Sequence, residues 1–110
     1  MENDLPKYEK LERDGLIAVL YSPEYGGTWS YGVEALAFDK EIIELVLLDD
    51  IYGAVKLAIE KYKDEYDNYA FTAEYYLRVE WIPKGTRFKI TEYDGSESVE
   101  IIGPDYGYVA

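Results

Sequence analysis

Two glutamates near the C-terminus are the first residues whose types and spacing suggest chemistry. A turn at Asp94-Gly95 would bring Glu92 directly opposite Glu97 on neighbouring strands. Paired carboxylates divide general acid and general base roles in some enzymes, whereas like charges that face each other cost stability unless they are exposed or used. Because nothing else in the sequence completes a catalytic site, we expect a solvated hairpin tip or an acidic contact surface and no catalytic residue.

The end of the chain is acidic, since no basic residue follows Lys89. Carboxylates three or four residues apart on a helix lie about 5 to 6 Å apart at Cβ, so an upstream helix and the Asp49-Asp50 pair would extend this negative surface. Such rows of charge can imitate a nucleic-acid backbone. The alternative is that the acidic surface only keeps the protein soluble. The EF-hand pattern is absent, so a Ca²⁺ site has little support. The candidate partner-contact carboxylates are Glu92, Asp94, Glu97, Glu100 and Asp105, with Asp64, Glu65 and Asp67 on the helix.

A glycine-rich segment, SPEYGGTWSYG at residues 22–32, follows the most apolar run of the N-terminal half. Small residues after a strand allow backbone N–H groups to approach a phosphate. This segment lacks the lysine of a P-loop and the spacing of a dinucleotide-binding fold, and acidic residues flank it. We therefore predict a tight turn with Trp29 folded against the core. Tyr25 and Tyr31 are the contact candidates, because tyrosine gives a large contact area at low entropic cost.

The composition excludes several classes of function. The chain has no cysteine and no histidine, which removes disulfides, thiolate nucleophiles, thiolate or imidazole metal sites, and Ser-His or Cys-His catalysis. With 23 acidic and 11 basic residues, the formal net charge is −12. This charge disfavours direct binding to nucleic acid or to an anionic membrane. We predict no enzyme activity, no cofactor and no metal.

A single domain with one modest hydrophobic core is expected for a chain of 110 residues with 48% hydrophobic side chains. Residues 1–14 are expected to form a charged arm or a short helix that ends at Gly15, and residues 15–110 an α+β domain. The N-terminus is too charged for a signal peptide, and no apolar run approaches the ~20 residues that span a bilayer, which predicts a cytoplasmic protein.

One strand and two helices are predicted before the acidic region. The run LIAVLY at 16–21 suits a central strand buried on both faces. Asp39 is placed to cap a helix that ends near Asp49-Asp50. A second helix over residues 51–66 carries apolar residues at spacings of three and four. The apolar positions of this second helix include Val55, Ala58, Ile59 and Tyr62.

The sequence after residue 72 alternates with a period of two. Ala73 to Trp81 predicts a strand with one buried face, Pro83 and Gly85 predict a type I turn, and Asp94-Gly95 predicts a two-residue hairpin. The fold class is therefore α+β: a three-stranded meander within an antiparallel sheet of three to four strands, with two helices packed on one face. The expected hairpin register pairs Ile90 with Val99, Phe88 with Ile101, Lys89 with Glu100, and Glu92 with Glu97.

Two motifs carry a resemblance to a known family. Residues 25–31, YGGTWSY, form a glycine-rich Trp-Ser stretch, and residues 92–95 spell Glu-Tyr-Asp-Gly. Together with FDKEIIEL at 38–45, they resemble a family of small uncharacterised phage and prophage proteins over most of the chain after Gly15. Compared with the Gly-Tyr-Gly-Ala-Gly-Trp-Ser-Thr-Trp stretch of that family, one glycine is displaced and Tyr31 replaces the second tryptophan. The resemblance implies a phage context and a location in the host cytoplasm, and it supplies no catalytic residue.

Two functions from different classes follow from these features. The first is a non-enzymatic inhibitor of the anti-CRISPR or anti-restriction type: a small acidic phage-type protein that binds a basic surface of a host defence or nucleic-acid-processing complex, in the manner of a nucleic-acid mimic. The alternative is a small-ligand-binding module in which the Gly-Tyr-Trp loop and sheet aromatics surround a neutral or cationic molecule. Salt-sensitive association with a partner favours the first function, and a deep aromatic pocket favours the second.

Overall fold

The computed structural model describes residues 8–23, 29, 34–62, 77–93, 96–102 and 107–110. Within these residues, three helices accompany two antiparallel sheets of three strands each, which confirms the predicted α+β fold class. None of the helices in this part of the chain is long and apolar enough to cross a lipid bilayer. The elements in chain order are β1 (Glu12–Arg13), β2 (Leu16–Tyr21), α1 (Glu34–Phe38), α2 (Lys40–Leu47), α3 (Ile51–Tyr62), β3 (Arg78–Pro83), β4 (Arg87–Tyr93), β5 (Ser96–Ile101) and β6 (Tyr108–Val109).

The central strand β2 is buried on both of its faces, as predicted. Because side chains alternate along a strand, Ala18 and Leu20 join a cluster with residues of α2 and α3, while Ile17 and Val19 join a second cluster with residues of β4. The prediction of one core is therefore wrong. A strand that is apolar at every position needs a packed layer against each face, and the two hydrophobic clusters provide one layer each.

Local capping determines where α2 begins and ends. The Asp39 side chain accepts hydrogen bonds from the backbone N–H groups of Glu41 (3.0 Å) and Ile42 (3.2 Å), so the predicted N-cap is confirmed. After α2, Asp49 adopts a φ of 64°, and the Asp50 N–H donates to the Leu45 carbonyl at 2.8 Å. This left-handed turn is a helix C-cap of the Schellman type.

The start of α3 is capped by the same short connection. The Asp50 carboxylate accepts a hydrogen bond from the Gly53 N–H at 2.9 Å. Val55, Ala58 and Tyr62 are buried as the spacing predicted, but Ile59 is 41% exposed. The predicted extension of this helix over residues 63–66 lies outside the described residues.

Residues 8–14 do not form the short helix offered as one alternative. Glu12–Arg13 is a strand that pairs with β2, with Arg13 opposite Leu16. Asp14 (φ 54°) and Gly15 (φ 79°) connect the two strands, and positive φ at both positions is typical of a type I′ hairpin turn. Gly15 therefore makes a hairpin turn rather than a helix end.

The predicted meander is wrong in one pairing, because β3 pairs with β2 and not with β4. The turn after β3 is closed by the Thr86 N–H, which donates to the Pro83 carbonyl at 3.0 Å, and Gly85 within it has a φ of 90°. Positive φ at the third turn position is typical of a type II turn, so the predicted type I turn is also wrong. Pairing with β3 satisfies the backbone groups along one edge of the buried strand β2.

The second sheet has the strand order β5-β4-β6. Every pair of the predicted hairpin register is confirmed, and Tyr93 lies opposite Ser96 across the two-residue connection. The connection itself, residues 94–95, lies outside the part that the structure describes. Phe88 on β4 packs edge-to-face against Phe38 of α1 and against Tyr108 of β6, with ring centroids 5.7 Å apart in both pairs.

Candidate functional site

Glu97 is buried, with 1% of its surface exposed, so its predicted place on a solvated acidic tip is wrong. The register supplies part of the reason, and contacts with the glycine-rich segment supply the rest, because Glu92 directly opposite Glu97 is exposed. Along β5, Glu97 shares a face with Val99, and Val99 lies opposite the buried Ile90 of β4. The same register was available from the sequence, and it would have placed the Glu97 side chain on the apolar face.

The Glu97 carboxylate connects β5 to Ser22 and Trp29 of the glycine-rich segment. One oxygen accepts the Ser22 N–H at 2.7 Å, and the other accepts the Trp29 N–H at 2.9 Å. The backbone is joined as well, because the Glu97 N–H donates to the Ser22 carbonyl at 2.7 Å, and the Ser96 hydroxyl donates to the Pro23 carbonyl at 2.6 Å. Both carboxylate oxygens thus position residues that flank 24–28.

Trp29 lies in the core, as predicted, with 1% of its surface exposed. Its indole Nε1–H donates to the Leu36 carbonyl at 2.9 Å, which satisfies the polar atom of an otherwise apolar side chain. The ring belongs to the cluster that contains Ala18 and Leu20. The segment is therefore held at Trp29 by packing and by two hydrogen bonds.

The remaining sequence-predicted site residues divide into two groups. Glu92 and Glu100 are exposed, and Glu100 lies 3.7 Å from the ammonium of Lys89, an exposed pair of the kind that contributes about 0.2 to 1 kcal/mol. Tyr93, which the sequence did not single out, is 78% exposed beside Glu92. The candidates outside the described residues are Tyr25, Tyr31, Asp64, Glu65, Asp67, Asp94 and Asp105.

Asp39 does more than cap α2, and this further role was missed. It is fully buried, and its second oxygen accepts hydrogen bonds from the Lys61 ammonium at 2.8 Å and the Tyr62 hydroxyl at 2.7 Å. Lys61 also lies 3.0 Å from Glu41. These bonds tie the start of α2 to the end of α3 across 20 to 23 residues, a separation over which the sequence carries no local signal.

The ammonium of Lys61 is held in its charged form. Burial lowers the pKa of Lys61, but the hydrogen bonds and negative charges of Asp39 and Glu41 more than offset that effect, so the pKa is raised above its usual value. A lysine with a raised pKa is a poor general base or nucleophile at neutral pH. The cluster of Asp39, Lys61 and Tyr62 therefore holds two helices together.

Several other basic side chains also bind groups of the protein itself. Lys84 lies 3.2 Å from Glu12. Lys10 donates to the Val109 carbonyl at 2.6 Å and lies 4.5 Å from the ring centroid of Phe38. In these contacts the lysine ammonium groups bind a carboxylate, a backbone carbonyl and an aromatic ring of the same chain. By contrast, no group of three carboxylates in the described part of the chain is arranged to hold a metal ion.

The connection between α2 and α3 exposes apolar and acidic side chains together. We define the helical-hairpin tip as residues 47–52. Leu47 is 40% exposed, Leu48 76% and Tyr52 80%, and Asp49 and Asp50 between them are exposed. Because α2 ends at Leu47, Leu48 lies beyond the apolar face of that helix.

No protein-family model, curated protein sequence or solved structure matches this chain. The resemblance to the phage family therefore stays a prediction from the two motifs.

Proposed function

We propose that this chain is a non-enzymatic inhibitor that binds a basic surface of a host defence or nucleic-acid-processing complex and blocks substrate access. The observation that carries the proposal is the charge of the protein. The chain has a formal net charge of −12, and many of its carboxylates lie on the surface. The exposed acidic residues in the described ranges are Glu9, Glu12, Asp14, Glu34, Glu41, Glu44, Asp49, Asp50, Glu60, Glu80, Glu92 and Glu100.

The basic residues are too few to balance this surface, because the chain has 11 of them against 23 acidic residues. Lys61, Lys84 and Lys89 lie within 4 Å of carboxylates of the same chain. A surplus of exposed negative charge generates a potential that steers the protein towards positively charged surfaces. A basic groove that normally holds DNA or RNA has the complementary charge.

The two buried carboxylates have structural roles. Asp39 and Glu97 are the only acidic residues among the buried polar residues of the described chain, and their oxygens accept hydrogen bonds that position backbone and helices. The small-ligand alternative loses one of the rings on which it depended, because Trp29 packs in the core.

Inhibition of DNA binding tests the proposal. A fluorescent DNA duplex bound to a purified CRISPR effector or restriction enzyme should be displaced by the protein. In bacteria that carry the same defence system, expression of the protein should raise the plating efficiency of a targeted phage.

A matched pair of surface variants separates charge from other causes. A variant with Glu44→Gln, Glu60→Gln and Glu80→Gln removes three exposed negative charges and should inhibit less well. A variant with Lys56→Gln and Arg78→Gln makes the surface more negative and should inhibit at least as well as the original. Equal inhibition by all three proteins would argue against an electrostatic inhibitor.

A further inference from the structure

The helical hairpin formed by α2 and α3 carries an exposed apolar surface. Four large hydrophobic side chains on this hairpin are exposed: Leu47 (40%), Leu48 (76%), Tyr52 (80%) and Ile59 (41%). Single exposed hydrophobic residues are normal on protein surfaces. Three of these four, however, lie within six residues at one end of the hairpin, which makes a local patch.

The spacing on α3 suits a helical partner. Tyr52 and Ile59 are seven residues apart, so they lie on the same face of α3, about 10 Å apart along the helix axis. An amphipathic helix presents its own apolar side chains at the same intervals when it lies against such a face. Lys56 is exposed between them, and its aliphatic stem can pack while its ammonium reaches solvent.

The charges around the patch indicate a basic partner. From Glu41 to Val55 the chain has no basic residue, and within this stretch Glu44, near the helical-hairpin tip, and Asp49 and Asp50, within it, are exposed. Lysine or arginine side chains on the flanks of a partner helix would meet carboxylates on this surface. An acidic helix would be repelled.

We infer that the helical-hairpin tip, together with Ile59, docks an amphipathic helix of a partner protein whose apolar face is flanked by lysine or arginine. Leu48 and Tyr52, the two most exposed apolar side chains of the tip, are the anchors, and the neighbouring carboxylates select the basic helix. The inference rests on the proposed function, since it names the surface that would meet the basic partner.

Binding of defined peptides to the intact protein tests the inference. Three labelled probes are titrated by fluorescence anisotropy at about 0.1 M salt, where the Debye length is about 10 Å: an amphipathic helical peptide of leucine and lysine, an oligolysine of the same charge, and a leucine–glutamate peptide. The leucine–lysine peptide should bind, the oligolysine should bind about tenfold more weakly or worse, and the leucine–glutamate peptide should not bind.

Variants then locate the binding surface. The double variant Leu48→Ser, Tyr52→Ser keeps the net charge and should weaken binding of the leucine–lysine peptide about tenfold or more, as expected when two contact anchors are truncated. Lys56→Glu should strengthen it. Tyr93→Ser is the matched control, because Tyr93 is as exposed as Tyr52 (78% against 80%) and lies on β4, at the tip of the β-hairpin.

Three results would overturn the inference, and they differ in what they imply for the proposed function. If the leucine–lysine peptide and the oligolysine bind equally and the double variant changes neither, the tip is not the docking surface, but an acidic binding protein remains supported. If Tyr93→Ser weakens binding and the double variant does not, the contact lies on the second sheet. If neither basic peptide binds, the proposed function loses its electrostatic basis as well.

Discussion

Replacing Glu97 with alanine is expected to remove a large part of the stability of the fold. The side chain is 1% exposed, and its two oxygens accept the backbone N–H groups of Ser22 and Trp29 at 2.7 and 2.9 Å. Truncation leaves both N–H groups buried without that acceptor. The substitution therefore tests whether Glu97 holds Ser22 and Trp29 against β5.

The expected magnitude follows from the two lost bonds. A buried donor left without an acceptor costs about 1 to 3 kcal/mol, so Glu97→Ala should lower the free energy of unfolding by about 2 to 6 kcal/mol. This is a large share of the 5 to 15 kcal/mol that is typical of a domain, and it corresponds to a fall in Tm of about 9 to 26 °C. Glu97→Gln keeps one acceptor oxygen but turns its NH2 donor towards the other backbone N–H, so we expect at least half of this cost.

Urea denaturation followed by tryptophan fluorescence measures these differences. Glu100→Gln is the matched control for Glu97→Gln, because it replaces a glutamate with glutamine on the same strand at an exposed position. Its expected cost in unfolding free energy is within about 1 kcal/mol. If Glu97→Ala itself does not fold, Glu97→Gln still supplies the comparison. Equal stability of Glu97→Gln and Glu100→Gln would refute the role assigned to the Glu97 carboxylate.

Three further substitutions test the helical hairpin. Asp49→Gly should stabilise the protein by about 0.5 kcal/mol, seen as a small rise in Tm, because glycine adopts the positive φ of this C-cap without steric cost; a fall in Tm would contradict this. Tyr62→Phe should cost about 1.5 to 3 kcal/mol in urea denaturation, because it removes a buried hydrogen bond to the Asp39 carboxylate; a cost below 0.5 kcal/mol would contradict it, on the same scale. The stabilisation provided by Lys61 should be fully present below the usual lysine pKa of 10.5 and be lost as the pH rises through its raised pKa in the fold. The difference in unfolding free energy between the original protein and Lys61→Met should therefore shrink above about pH 10.5, and a difference that is constant with pH would show that the ammonium charge does not contribute.

Features that depend on neighbouring residues were predictable from the sequence. The Asp39 cap and the register of the β4–β5 hairpin follow from short-range rules and are confirmed. Asp14-Gly15 is the same dipeptide as Asp94-Gly95, so the first hairpin was also readable, but the charged residues before it suggested a helix. The register also placed Glu97 on the face that carries Val99, but it did not by itself predict burial, because Glu92 and Ile101 on the same face are exposed.

Features that join distant parts of the chain were not predictable in the same way. β2 pairs with β3 about 60 residues later, and no local pattern distinguishes that pairing from a meander of β3 with β4. The contact of Glu97 with Trp29 spans 68 residues, and that of Asp39 with Lys61 spans 22. These polar contacts depend on how the two sheets and the helices pack, which the sequence pattern does not specify.

Capture of a partner at two salt concentrations tests the central proposal most directly. The immobilised protein is incubated with a bacterial lysate at about 0.1 M and about 1 M salt, between which the Debye length falls from about 10 Å to about 3 Å, and bound proteins are identified by mass spectrometry. The proposal predicts a nucleic-acid-processing or defence complex that is retained at low salt and lost at high salt, and retained less by the variant with Glu44→Gln, Glu60→Gln and Glu80→Gln. A partner held equally at both salt concentrations, and equally by that variant, would contradict it.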